Sequence, residues 1–124
     1  MPSLDEGIGS AAGIEITVEH ADGVPVVRVV GDVDLATAPQ LDAILNQFSG
    51  EQSRLVVDLR DVSFLDSSGL SVLVQCRQRL TQGSDRSMLT LVVNRPSIQR
   101  VLEVTGLDQV FEITNESPAE LREA

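Results

Sequence analysis

The nine residues from 62 to 70 read VSFLDSSGL, and the rest of the chain is arranged around them. An apolar strand over residues 55–59 runs into this stretch, and an apolar-faced helix over about residues 68–80 leaves it. Small polar residues at a strand-to-helix junction lie at the helix N-terminus, where free backbone N–H groups favour an anion. The stretch therefore raises the question whether Ser67 or Ser68 carries or binds a phosphate.

Composition places the chain in one cellular compartment and excludes some partners. With 124 residues, 42% of them apolar, one domain can bury a core without metal or disulfide support. The single cysteine, Cys76, falls within the helix pattern, which is typical of a buried thiol in a reducing compartment. No run approaches the roughly 18 apolar residues of a membrane span, and the first residues are acidic, so we expect a cytoplasmic protein with no membrane partner. The net charge of -10 argues against nucleic acid.

The hydrophobic pattern predicts a single α/β domain with the element order ββαβαβαβα. Alternating residues over 14–18 and an apolar run over 24–30 flank an Asp-Gly turn and predict an antiparallel hairpin. The later strands are nearly continuous apolar runs that alternate with helices, which is typical of parallel strands. We therefore expect a mixed, mostly parallel sheet covered by helices, with a short last helix over 119–122. Residues 1–12 read as a flexible acidic tail and residues 13–124 as the domain.

Right-handed crossovers bring the ends of the second and third predicted strands to one edge of the sheet. Four polar residues then share that edge, namely Asp32, Asp34, Asp66 and Ser67. Ligands of open α/β sheets usually bind outside the carboxyl ends of the strands. We therefore expect a binding surface at this edge.

The sequence lacks the signatures of several enzyme classes. It has no Gly-x-Ser-x-Gly elbow, no glycine-rich phosphate loop and no cysteine–histidine pair with a base. A response-regulator receiver also needs acids near a sheet edge, but it requires a lysine, and this chain contains none. Oxygen ligands from Asp32, Asp34 and Asp66 suit a hard cation, yet their spacing is not that of a calcium-binding loop. We expect no catalytic residue, no metal and no cofactor.

The serine pair has two interpretations, the first from the residues themselves and the second from a resemblance to a known family. In the first, Asp66, Ser67 and Ser68 only cap the helix and Gly69 eases the turn. In the second, a partner reads the motif. The sequence FLDSSGL at 64–70 resembles the signature of the STAS domain, as in bacterial anti-sigma factor antagonists. The likeness extends over about residues 14 to 115 and includes GDVD at 31–34, VDL at 57–59 and TGL at 105–107.

The resemblance implies a phosphorylation site at Ser67, the serine directly after the aspartate, with Ser68 as the fallback acceptor. It also implies a role at the partner surface for the acid that follows the second strand, Asp34. The partner surface predicted at this edge consists of Asp32, Asp34, Asp66, Ser67, Ser68 and Gly69.

The resemblance also implies a partner-switching mechanism. The unphosphorylated protein would bind an anti-sigma factor that is a serine kinase, and would thereby free a sigma factor for transcription. The kinase would then use ATP to phosphorylate Ser67 and release the protein, and a phosphatase would reset it. A phosphate adds about -1.5 to -2 charges, which would repel the partner from an edge that already holds Asp34 and Asp66. Because the helix N-terminus is expected to host the phosphate, we predict a local switch without large backbone movement.

Two further hypotheses stay open. One is a STAS scaffold in a signalling assembly, whose serines cap the helix and do not switch. The other is a small-ligand or nucleotide-binding module at the same sheet edge, for which the helix N-terminus is the only supporting feature.

Overall fold

The computed structural model describes residues 9–11, 13–48, 54–83 and 88–117. The strands in these ranges are β1 (Gly9–Ala11), β2 (Ile14–Ala21), β3 (Val24–Val33), β4 (Arg54–Leu65), β5 (Met88–Val92) and β6 (Glu112–Thr114). The helices are α1 (Ala38–Leu45), α2 (Ser67–Gly83) and α3 (Pro96–Val104), followed by a 3-10 turn at Leu107–Gln109.

The strands form one six-stranded sheet whose spatial order is the chain order, β1-β2-β3-β4-β5-β6. The β1–β2 and β2–β3 pairs are antiparallel, whereas β3–β4, β4–β5 and β5–β6 are parallel. This arrangement confirms the predicted mixed, mostly parallel sheet. The turn between β2 and β3 has positive φ at both Asp22 (55°) and Gly23 (80°), as the tightest hairpin turns require.

The ends of the chain differ in part from the sequence pattern. Residues 9–11 pair with residues 14–16 as β1, so the prediction of a tail does not hold for them. Their sequence, Gly-Ser-Ala, has no apolar alternation that would predict a strand. The rest of the predicted tail, and the predicted helix over 119–122, lie outside the described residues.

The main core lies between one face of the sheet and the three helices. Buried side chains of α1, α2 and α3 join one cluster with the inward residues of β4, including Leu41, Leu45, Leu55, Val57, Leu59, Leu73, Cys76, Leu80, Ile98 and Leu102. All three helices therefore cover the same face, as right-handed crossovers between successive neighbouring strands require. A smaller buried cluster on the opposite face contains Ala21, Val26, Val56 and Val92.

β3 and β4 run further than their apolar sequence predicts, to Val33 and Leu65. The register between them shifts twice, between Arg28 and Val30 and between Gly31 and Asp32, so β4 gains an extra residue at each place. Such bulges re-aim the side chains that follow them. With these two bulges, β4 continues through its polar residues and reaches α2 with Leu65 still buried.

Asp58, which lies on the sheet face opposite the helices, is one of the few buried charged residues, with 4% exposure. Its two carboxylate oxygens accept hydrogen bonds from Nε and Nη2 of Arg60 at 3.0 and 2.9 Å, and Oδ1 also accepts the Arg60 backbone N–H at 3.1 Å. Bidentate pairing of this kind compensates for the loss of hydration on burial. The acid within the VDL motif thus has a structural function in this fold.

Candidate functional site

The carboxyl ends of β3 and β4 lie side by side at one edge of the sheet. Val33 pairs with Leu65, and the backbone N–H of Asp66 donates to the carbonyl oxygen of Val33 at 3.2 Å. Helix α2 begins at the next residue, Ser67. The structure therefore brings the Asp32–Asp34 segment and the Asp66–Gly69 segment to the same edge, as the topology predicts.

Asp66 caps helix α2. Its Oδ1 atom accepts hydrogen bonds from the backbone N–H groups of Ser68 at 2.8 Å and Gly69 at 3.4 Å, and its carbonyl oxygen accepts the N–H of Leu70 at 3.0 Å. These are the contacts of an aspartate N-cap, which satisfies helix N–H groups that have no partner within the helix.

The two serine hydroxyls take no part in the cap. Ser67 is exposed and Ser68 is half-buried. Within the described ranges neither hydroxyl makes a hydrogen bond. Helix capping therefore accounts for Asp66 and leaves the presence of both serines unexplained.

Gly69 allows α2 to start directly against the strand ends. A Cβ atom at this position would lie 2.5 Å from Cδ1 of Leu65 and 2.6 Å from Cγ1 of Val33. Both distances are too short for a contact between two carbon atoms. Val33 is β-branched and fully buried, so it has little freedom to move away. The glycine of the motif thus allows the first turn of α2 to pack closely against the end of β3.

Asp34 and Thr37 hold the turn between β3 and α1. Oδ1 of Asp34 accepts the backbone N–H groups of Ala36 at 3.0 Å and Thr37 at 3.1 Å. The buried Thr37 hydroxyl donates to the carbonyl oxygen of Asp32 at 2.7 Å and accepts the N–H of Asp34 at 2.9 Å. The Asp34–Thr37 pair is a structural unit whose spacing, an acid three residues before a threonine, is visible in the sequence.

The edge is acidic. In the described part of the chain the ion pairs are Arg28–Asp61, Arg54–Glu112 and Arg60–Asp58, and none of them involves Asp32, Asp34 or Asp66. Three carboxylates at the end of two neighbouring strands therefore keep their charge unbalanced by a neighbouring arginine, which favours a basic partner surface.

Two large apolar side chains at this edge are exposed, and the sequence pattern does not identify them. Leu35, in the turn before α1, is 78% exposed, and Phe64, near the end of β4, is 51% exposed. In the sequence, Phe64 looks like an ordinary apolar strand residue that precedes the motif, so its exposure is not predicted. Its exposure follows from the second bulge in β4, which leaves no sequence signal of its own.

The described ranges offer neither a metal-binding cluster nor a membrane-spanning helix. These ranges contain no group of three histidine, cysteine or acidic side chains placed to hold a metal ion. Of the helices in the same ranges, none is long and apolar enough to cross a membrane.

The fold and the site together define a class of protein: a small α/β module that presents a serine hydroxyl at a strand-to-helix turn surrounded by acids. The family model for the STAS domain matches residues 15–120. The chain belongs to the STAS domain family.

The chain is similar to several proteins named as anti-sigma factor antagonists. The chain is 32% identical over 103 residues to the anti-sigma-B factor antagonist of Listeria monocytogenes, a match that covers 82% of this chain and 88% of the relative. It is 33% identical over 102 residues to the anti-sigma-F factor antagonist RsfB of Mycobacterium tuberculosis, covering 81% and 80%. The crystal structure of an anti-sigma factor antagonist from Mycobacterium paratuberculosis superposes with a TM-score of 0.80 at 31% identity, covering 92% and 96%.

Proposed function

We propose that this protein is an anti-sigma factor antagonist that binds a kinase-type anti-sigma factor when Ser67 is unmodified and is released when Ser67 is phosphorylated. One observation carries the proposal: the Ser67 hydroxyl is exposed and has no hydrogen bond in the described part of the chain, while Asp66 alone caps the helix. A side chain with no structural function at such a position is available to a partner. The names of the matched relatives support the anti-sigma factor antagonist part of this proposal.

Ser67 is a better acceptor than Ser68 for two reasons. Ser67 is exposed at the first residue of α2, whereas Ser68 is half-buried. The backbone of Ser68 is also held by Asp66 at 2.8 Å, which restrains the path of the chain at that residue. A kinase must bring its catalytic groups and the ATP γ-phosphate in line with the hydroxyl, and the exposed Ser67 offers more access than the half-buried Ser68.

The phosphate on Ser67 would point away from the helix. The N–H groups of Ser68 and Gly69 already donate to Asp66, so in the first turn of the helix the N–H of Ser67 is the donor left for a second anion. The Asp66 carboxylate would also repel a group of about -1.5 to -2 charges. For the helix N-terminus to host the phosphate as expected from the sequence, the Asp66 carboxylate would have to be displaced. A phosphate that points outward avoids the free-energy cost of that displacement.

An outward phosphate acts directly on the proposed partner surface. Asp32, Asp34 and Asp66 already make this edge acidic, and a partner shaped for a neutral hydroxyl would meet added bulk and charge at its centre. Ser67, Ser68 and Gly69 would lie within the contact area. In this scheme the protein is a substrate and ligand of the serine kinase, and a phosphatase removes the phosphate.

Phosphorylation with candidate anti-sigma kinases tests the acceptor. The wild-type protein, Ser67→Ala and Ser68→Ala would each be incubated with the kinase and ATP, and the peptides analysed by mass spectrometry. We expect one phosphate on Ser67 in the wild type and in Ser68→Ala, and none in Ser67→Ala. Unchanged phosphate incorporation in Ser67→Ala would show that the acceptor is another residue.

Binding measurements test the switch. Calorimetry should show tight binding of the kinase to the wild type and to Ser67→Ala, and much weaker binding to Ser67→Glu. Thermal unfolding should be nearly the same for all three, because the Ser67 side chain makes no contact that folding requires. Equal affinity for Ser67→Glu would instead support a STAS scaffold that does not switch.

A further inference from the structure

The sheet face opposite the helices is covered at one end and open at the other. Val26, Val56 and Val92 on this face are buried, with exposures of 4%, 0% and 0%. Toward the carboxyl ends of β3 and β4 the same face opens, and Val30 is 40% exposed and Phe64 51% exposed. The open end is the one that leads to Ser67.

Strand register places four side chains together on the open part of this face. Val30 of β3 pairs with Glu15 of β2, and Asp32, two residues further along β3, pairs with Phe64 of β4. Paired residues of neighbouring strands point to the same face, and residues two apart on one strand do so as well. Val30, Phe64, Glu15 and Asp32 are named here the open-face patch.

Phe64 is the exposed aromatic side chain of the described chain. Of the three phenylalanines, Phe111 is 5% exposed and Phe48 is half-buried against the main core. A half-exposed phenylalanine beside an exposed valine leaves apolar area in water that contact with another protein would remove. Aromatic residues of this kind are common anchors of protein interfaces.

The charges around these two apolar residues are negative in balance, because the one arginine nearby, Arg28, is paired with Asp61. Glu15 and Asp32 are exposed, and neither has an ion pair in the described ranges. The nearby Asp61 is neutralised by Arg28, whose Nη2 lies 2.8 Å from Oδ2. An apolar pair bordered by two unpaired carboxylates is complementary to an apolar recess bordered by lysine or arginine.

We propose that the open-face patch is a second part of the docking surface for the protein that recognises Ser67, and that Phe64 is its apolar anchor. This inference rests on the proposed function. Phe64 lies three residues before Ser67, and Asp32 lies two residues before Asp34, so the patch continues directly from the edge already described. The partner therefore contacts the turn and the sheet face together, and places a basic-rimmed apolar recess over Phe64.

Affinity measurements on matched exposed residues test the proposal. The kinase-type anti-sigma factor would be titrated with the wild type, Phe64→Ser and Val104→Ser. Val104 is 76% exposed on α3, which packs on the other face of the sheet from the patch, so it is the control for loss of an exposed apolar side chain. We expect Phe64→Ser to weaken binding about tenfold or more, and Val104→Ser to change it less than about twofold.

Two further experiments change the charge of the patch and measure self-association. Glu15→Gln with Asp32→Asn should slow association and reduce its salt dependence, because these acids lie at the rim of the contact. Equal affinities for the wild type and Phe64→Ser, or a Phe64→Ser effect confined to self-association in sedimentation, would overturn the proposal. A wild type that binds no kinase at all would instead overturn the proposed function. Thermal unfolding of each variant checks that the folded fraction is the same.

Discussion

The Oδ1 atom of Asp66 lies 2.8 Å from the backbone nitrogen of Ser68, so the aspartate caps α2 and the neighbouring serines do not. In a motif of four small residues, the acid and the glycine thus have structural functions. Asp66 satisfies the first N–H groups of the helix, and Gly69 admits the helix to the strand ends. The serine hydroxyls make no hydrogen bond in the described ranges, and the proposed function assigns them to recognition.

Replacing the cap should lower stability, whereas replacing the proposed acceptor should not. Asp66→Ala removes the bonds to Ser68 and Gly69, and we expect a loss of about 1 kcal/mol in the free energy of unfolding. Asp66→Asn keeps an oxygen acceptor and should lose much less. Ser67→Ala is the matched control and should unfold like the wild type. Urea denaturation followed by circular dichroism measures all three, and equal stability of Asp66→Ala and the wild type would contradict the capping assignment.

Adding one methyl group at Gly69 should destabilise the fold. The new Cβ atom would overlap with Val33 and Leu65, and overpacking of this kind typically costs about 1–3 kcal/mol. Ser71→Ala, at an exposed position of the same helix, should stay within about 0.5 kcal/mol of the wild type. Thermal unfolding distinguishes the two variants. A Gly69→Ala protein as stable as the wild type would show that α2 can move away from β3.

Much of this fold could be predicted from the sequence because hydrophobic periodicity records which faces are buried. The Asp-Gly turn predicted the hairpin formed by β2 and β3. The alternation of apolar strands with helices predicted the mostly parallel sheet. The pairing of Gly9–Ala11 could not be predicted, because it depends on backbone bonds between small residues. The two bulges of β4 could not be predicted either, because a change of register leaves no fixed residue pattern in the sequence.

The position of the candidate site could be predicted from the sequence. The structural functions and the exposure of its residues could be predicted only in part. The carboxyl ends of parallel neighbours meet at one edge, so topology alone placed Asp32, Asp34 and Asp66 near Ser67. Aspartate and serine are comparable N-cap residues, however, so the sequence could not decide which one caps α2. The exposure of Phe64 depends on the bulge before it, and it required the structure.

The buried ion pair and the exposed ion pair on β4 should differ sharply in their contributions to stability. Asp58→Ala leaves the mostly buried Arg60 guanidinium without its bidentate acceptor, and breaking such a pair costs about 3–5 kcal/mol. Asp61→Ala breaks the exposed pair with Arg28, which is worth about 0–1 kcal/mol. Denaturant unfolding of the two variants measures the difference. Equal losses would mean that burial of Asp58 does not determine the energy of the pair.

Stability should fall at high pH through a single side chain, Cys76. Burial raises the pKa of the Cys76 thiol from 9.0 to about 11. The sequence contains no lysine and no tyrosine, so no other side chain type is expected to ionise between these values. Between pH 9 and 11 the unfolded thiol has lost its proton while the folded thiol keeps it, and raising the pH therefore favours unfolding.

The size and origin of this pH effect can both be measured. The contribution from Cys76 is fully present below pH 9 and is lost as the pH rises toward 11, with a slope of at most about 1.4 kcal/mol per pH unit. Urea denaturation from pH 8 to 11 should show this decline in the wild type and a flatter profile in Cys76→Ala. The folded thiol should also react slowly with Ellman's reagent at pH 8 and quickly in denaturant, because Cys76 is fully buried. Rapid labelling of the native protein, or an equal decline in Cys76→Ala, would show that the thiol is not the titrating group.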